Sequence, residues 1–175
     1  VLALATALVG RAALVEVTST VAKLGGADGV PHLHSLSNVF TARSGAWSEV
    51  TTWQANLPPG DGARVSVVGG HDVTLDVTAT SKLEWVAVYN GTLRFALDRE
   101  TTLHTLTVLI YPDGAVHMGD CRGGCPAGDR TCGGRAVGAA YTASISIIDA
   151  QFDHTLDPNE LTHSVFVYGG TLTTC

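Results

Sequence analysis

The stretch VAVYNGTLRF (residues 86–95) and the stretch VFVYGGTLTT (165–174) share one phrase, apolar-x-Val-Tyr-x-Gly-Thr-Leu, 79 residues apart. Two further copies appear when the chain is aligned on its turn glycines. Val65-Ser66-Val67 leads to Gly70 and then Val73-Thr74-Leu75. Val86-Ala87-Val88 leads to Gly91 and then Leu93-Arg94-Phe95. Val108-Leu109-Ile110 leads to Gly114 and then Val116-His117-Met118, and Val165-Phe166-Val167 leads to Gly170 and then Leu172. The first three glycines are 21 and 23 residues apart and the last gap is 56. That last gap fits two levels if GDCRGGCPAGDRTCGGRAVG is an insertion and ASISII is the strand between. A strand–turn–strand unit recurring every twenty-odd residues cannot bury its apolar face alone, so its copies stack. The expected fold is therefore all-β, a right-handed parallel β-helix of short strands, with a β-sandwich as the alternative. In that stack Val86, Val88, Leu93 and Phe95 point inward, as do Val165, Val167 and Leu172. Gly91 and Gly170 are expected to take the sharp corner at positive φ.

Composition agrees. The chain is rich in Val, Thr and Gly, which suit pleated strands and tight turns. Its 175 residues are one domain, or one domain and part of another. A net charge of −6 argues against nucleic acid as partner, because that needs a basic face. No apolar run reaches the ~18 residues a membrane-spanning helix requires. The opening VLALATALVGRAA lacks an initiator Met and reads either as a remnant of a secretory signal peptide or as an ordinary first element. Residues 1–44 form an N-terminal segment of weak periodicity, and the texture changes near Trp47.

From there WSEVTTWQANLPPGDGARVSVVGGHDVTLDV, LEWVAVYNGTLRF and LTVLIYPDGAVHMG follow in order. The set Trp47, Trp53, Pro59, Gly60, Gly70, Leu75, Asp76, Gly91, Leu93, Phe95, Gly114 and Gly119 resembles the eight-glycine (G-eight) domain. The resemblance covers roughly residues 45–150, and SVFVYGGTLTTC in 151–175 is similar to the first coil of the β-helix that follows this domain in larger family members. It implies an extracellular or membrane-tethered parent protein of mostly β structure, as in fibrocystin-like receptors and cell-surface hyaluronidases, with glycan binding or hyaluronan breakdown as the associated work.

The residues themselves offer several candidates. Arg122, Arg130 and Arg135 share the loop 120–135 and are the one local concentration of positive charge; Arg pairs well with the carboxylates of acidic sugars. Trp47 could stack on a sugar ring, whereas Trp53 reads as core. Cys121, Cys125, Cys132 and Cys175 are an even set that suggests two disulfides of undetermined connectivity; the C-x3-C-x6-C spacing lacks the paired knuckles of most zinc modules. Asn90-Gly91-Thr92 is the single N-glycosylation triplet, and also what a tight Asn-Gly corner looks like. The histidines His32-x-His34, His71 and His117 form no closed ligand set, and no cofactor motif is present. Asp72, Asp76, Asp98, Asp113 and Asp120 are strand-end carboxylates, a place where Asp commonly makes turns.

The function expected is an extracellular interaction module, with polysaccharide as partner, inside a larger protein. The alternatives are the non-catalytic N-terminal part of a hyaluronidase-like enzyme, and a structural spacer or cap. The chain by itself is not expected to cleave acidic glycans, since it lacks a convincing acid–base pair. Its C-terminal GGTLTTC carries no helix, Pro or charge to blunt a strand edge, so self-association through that end is expected.

Overall fold

The computed structural model describes Val30 and residues 32–119, 141–149 and 163–174. Eleven strands are present among them: β1 Val39–Phe40, β2 Gly45–Ala46, β3 Arg64–Val67, β4 Asp72–Leu75, β5 Leu83–Val88, β6 Gly91–Phe95, β7 Thr101–Ile110, β8 Gly114–Met118, β9 Ala143–Ile147, β10 Val165–Val167 and β11 Thr171–Thr174. They lie in two sheets. One has the order β1-β3-β5-β7-β10, with β9 also on β7; the other has the order β11-β8-β6-β4-β2. Successive strands alternate between the sheets up to β8, so each strand–turn–strand phrase adds one strand to each. Every pairing of named strands is parallel. The fold is thus all-β, with parallel strands in two sheets. No helix among the described residues is long and apolar enough to cross a membrane.

The register reproduces the alignment of the phrases. Val65 pairs with Val86, Val86 with Val108 and Val108 with Val165. In the other sheet Val73, Leu93, Val116 and Leu172 form the matching column. These columns face each other and make the main core, in which Val65, Val86, Val108, Val73, Leu93 and Val116 are all fully buried. Burying each such side chain is worth about 1.5–3 kcal/mol, and it is the stack that removes them from water.

One end of the core is plugged. Trp47 and Trp53 meet edge to face at 4.9 Å, and the Trp53 indole N–H donates to the Trp47 carbonyl at 2.8 Å. A short 3-10 helix, Val50–Thr52, carries the chain between them. At the other end β9, β10 and β11 are each paired on one side only among the described residues. There the inward columns run out: Val167 is 43% exposed and Leu172 37%.

The six-stranded sheet is apolar on both faces over β5 and β7. Trp85, Ala87, Leu109 and Tyr111 point outward yet are buried, because Val30 and residues 32–37 lie across them. That strap is held by hydrogen bonds. Leu33 N–H donates to the Tyr111 hydroxyl at 2.8 Å, the Trp85 indole donates to Ser37 Oγ at 3.0 Å, and Ser66 Oγ donates to the His34 carbonyl at 3.1 Å. This two-sided burial explains the continuous apolar runs Trp85–Val88 in β5 and Val108–Ile110 in β7.

Two expectations need correction. β1 and β2 pair with β3 and β4, so residues 39–46 are an integral first level of the stack and the boundary after residue 44 cuts through it. The signal was faint because these strands are two residues long. The corner glycines also do different work from that expected. Positive φ is taken by the preceding residue, Asn90 (47°), Asp113 (62°) and Gly169 (72°), not by Gly91, Gly114 or Gly170. Those three are glycine because the previous level sits against them. A Cβ at Gly91 would lie 3.0 Å from the Val67 carbonyl, and at Gly114 and Gly170 it would overlap the Val88 and Tyr111 carbonyls. In the first copy Gly70, at φ 72°, is the corner equivalent of Asn90.

Candidate functional site: the outer face of the five-stranded sheet

Along β4, β6 and β8 buried and partly buried residues alternate, so every second side chain points out. The middle residue of each phrase is one of these. Thr74 pairs with Arg94, Arg94 with His117, and His117 with Thr173. The row therefore crosses four adjacent strands at a spacing of about 4.8 Å. A second outward row, Asp72, Thr92, Ala115 and Thr171, runs beside it. The surface so formed is polar, with threonine hydroxyls in both rows.

Its polar side chains are oriented. Arg94 Nε donates to both oxygens of Asp72, at 2.9 and 2.7 Å, which fixes the guanidinium across the strand pair. His117 Nδ1 is hydrogen bonded to Thr173 Oγ1 on the neighbouring strand. Asp72 in turn has its backbone N–H bonded to Ser44 Oγ at 2.9 Å. The rim of this face is also built. Asp76 accepts from Ser48 N–H at 2.9 Å and from Ser48 Oγ at 2.5 Å, and Arg99 donates to the Asp76 carbonyl at 3.0 Å. Arg99 pairs with Asp98 and, by its hydrogen bonds to it, holds that exposed carboxyl below its ordinary pKa. Chemically, the row offers threonine hydroxyls, one imidazole and one guanidinium, the last ion-paired with Asp72.

The sequence candidates distribute as follows. Trp47 is 2% exposed in the plug, so no face of its ring is open to a sugar, contrary to the stacking role expected of it; Trp53 is core, as expected. Asp72, Asp76 and Asp98 are each engaged by Arg94, Ser48 and Arg99 respectively. Asp113 occupies a positive-φ corner. His71 bonds Thr41 Oγ1 at 3.0 Å. His32 and His34 sit on the strap rather than on a strand, with ring centroids 5.6 Å apart. Among the described residues no cluster of three metal-ligating side chains occurs. Asn90 is exposed at its corner. Arg122, Arg130, Arg135, Cys121, Cys125, Cys132 and Cys175 lie outside the described residues. The segment bearing the three arginines follows β8, the strand that carries His117.

Sequence reasoning missed the row Thr74–Arg94–His117–Thr173. Its signal was in plain view, as the central residue of the triplets Val73-Thr74-Leu75, Leu93-Arg94-Phe95 and Val116-His117-Met118. The inward residues define the repeat, whereas the outward ones differ in chemistry from level to level.

A repetitive two-sheet parallel stack, plugged at one end and polar along one face, defines a class of β module. Residues 52–131 match the family model of the G8 domain. No curated protein and no solved structure matches the chain.

Proposed function

We propose that this chain is an extracellular interaction module of a larger protein, that its levels close into a right-handed β-helix, and that it binds an extended acidic polysaccharide along the outer face of the five-stranded sheet. The observation that carries this reading is the in-register row Thr74, Arg94, His117 and Thr173. Its strand spacing of about 4.8 Å is close to the rise of one sugar in an extended β-linked chain. Successive sugars would therefore meet successive strands in the same way. Arg94 contributes the cationic contact suited to a uronate carboxylate, and the threonine hydroxyls suit sugar hydroxyls. The G8 match supports the extracellular setting, and the arginines after β8 belong to the same reading.

The test is binding of size-defined hyaluronan to the pure chain by calorimetry. Arg94→Ala and His117→Ala are each expected to weaken binding about ten-fold, equivalent to ~1.4 kcal/mol. Trp47→Phe should leave binding unchanged. Equal affinity in all four proteins, or no binding at all, would overturn the assignment of this face.

A further inference from the structure

We propose that Asn90 is an N-glycosylation site whose first sugar lies against the ring of Tyr89; this rests on the extracellular reading above. The acceptor triplet Asn90-Gly91-Thr92 occupies the turn from β5 to β6. A corner of this kind can be met by several residues, and here Gly70, Asp113 and Gly169 fill the equivalent places. The backbone at Asn90 therefore asks for a residue that tolerates positive φ, not for asparagine in particular. The rest of the residue is unused by the fold. Its carbonyl accepts from Gly70 N–H at 2.5 Å, but its exposed side-chain amide has no partner among the described residues. An asparagine kept only for a turn usually spends that amide on a neighbouring backbone group.

The surroundings suit a sugar. Tyr89 precedes Asn90 and is 43% exposed. Its ring is stacked on His34 at 4.5 Å with an interplanar angle of 14°, and Tyr111 meets it edge-on at 6.0 Å. One side of the ring is thus rigidly backed while much of its surface faces solvent. A pre-ordered aromatic ring stacks a pyranose at little entropic cost. In the transfer itself the Asn90 Nδ2 forms a bond to C1 of a lipid-pyrophosphate-linked oligosaccharide. The bond from C1 to the pyrophosphate oxygen breaks, the lipid pyrophosphate leaves, and the amide proton is lost to base.

The experiment uses the full chain behind a heterologous secretion signal in a eukaryotic host, so that its outcome is independent of where the native protein resides. Mass spectrometry of the secreted protein should find a glycan at Asn90, absent in Asn90→Asp, which keeps the corner. An unmodified Asn90 in secreted protein overturns the site. The native protein found inside the cell would instead sink the extracellular reading. The stacking half is read from melting temperatures with and without enzymatic deglycosylation. The glycan should add about 2–4 °C to the parent and nothing to Tyr89→Ala, and ring-proton contacts between the first sugar and Tyr89 should appear by NMR. An equal gain in both proteins, with no such contacts, overturns the stacking.

Discussion

A glycine can be required by its own torsion angle or by its neighbour's backbone, and the two make opposite forecasts. Gly114 needs no unusual φ but faces the Val88 carbonyl, whereas Gly60 has nothing within 4 Å of where a Cβ would be. Gly114→Ala is therefore expected to cost roughly 2–4 kcal/mol in urea unfolding and Gly60→Ala less than about 0.5 kcal/mol. Equal effects would show that the levels are not in close contact at the corner. Sequence alone located the corner glycines Gly91 and Gly170 but misassigned their purpose, because a repeat shows where a small residue is needed and not what presses on it. His34 is a second residue whose role emerges only in three dimensions. Its ring packs against Tyr89 and Tyr111, its Nδ1 is buried without a partner among the described residues, and burial, together with nearby His32, lowers its pKa. The unfolded chain then binds a proton at a pH where the folded chain does not. Stability should be full above the ordinary imidazole pKa of about 6.5 and should fall as pH drops through it. His34→Phe, which keeps the stacking, should lose less melting temperature between pH 7.5 and pH 5 than the parent. A parent protein that is equally stable at both values would contradict this.

At the scale of elements, strand edges decide behaviour. β11 ends the five-stranded sheet with Thr171–Thr174, uncharged and paired on one side among the described residues, beside the exposed Leu172. Such an edge is a template for another strand. Sedimentation velocity is expected to show concentration-dependent association of the chain, abolished by Leu172→Lys. A monomer at all concentrations would mean the edge is protected. In contrast, Leu93→Ala removes a fully buried member of the central column and should cost about 2–5 kcal/mol without changing association. The strands from β3 to β8 were legible in the sequence because their alternation is clean. β1 and β2 were not, being too short to show a period, and the strap over Trp85 was invisible because a cover of irregular backbone leaves no periodic trace. The row of Arg94 and His117 was encoded just as clearly as the core. It went unread because outward positions vary in chemistry while inward ones repeat.

For the molecule as a whole, stability should be graded along the stack. The plug of Trp47 and Trp53 closes one end, and β5 and β7 are covered on both faces, whereas β9 to β11 expose their apolar residues. Amide exchange should be slowest in β5 and β7 and fastest in β9, β10 and β11. Uniform exchange would imply one cooperative block with no weak end. The repeat in the sequence foretold the stacking itself, but not which end is sealed, since that depends on two tryptophans meeting across the short 3-10 helix Val50–Thr52 and not on any period. The separation of partners has a consequence for how the chain is made. Val65 finds Val86, and Val86 finds Val108, each a little over twenty positions further along. The tryptophan plug belongs to segments that leave the ribosome before β5 and β7 do. Each newly emerged segment thus meets a finished surface laid down moments before, and the protein can assemble during translation in the order in which it is written, like a wall raised course by course on its footing.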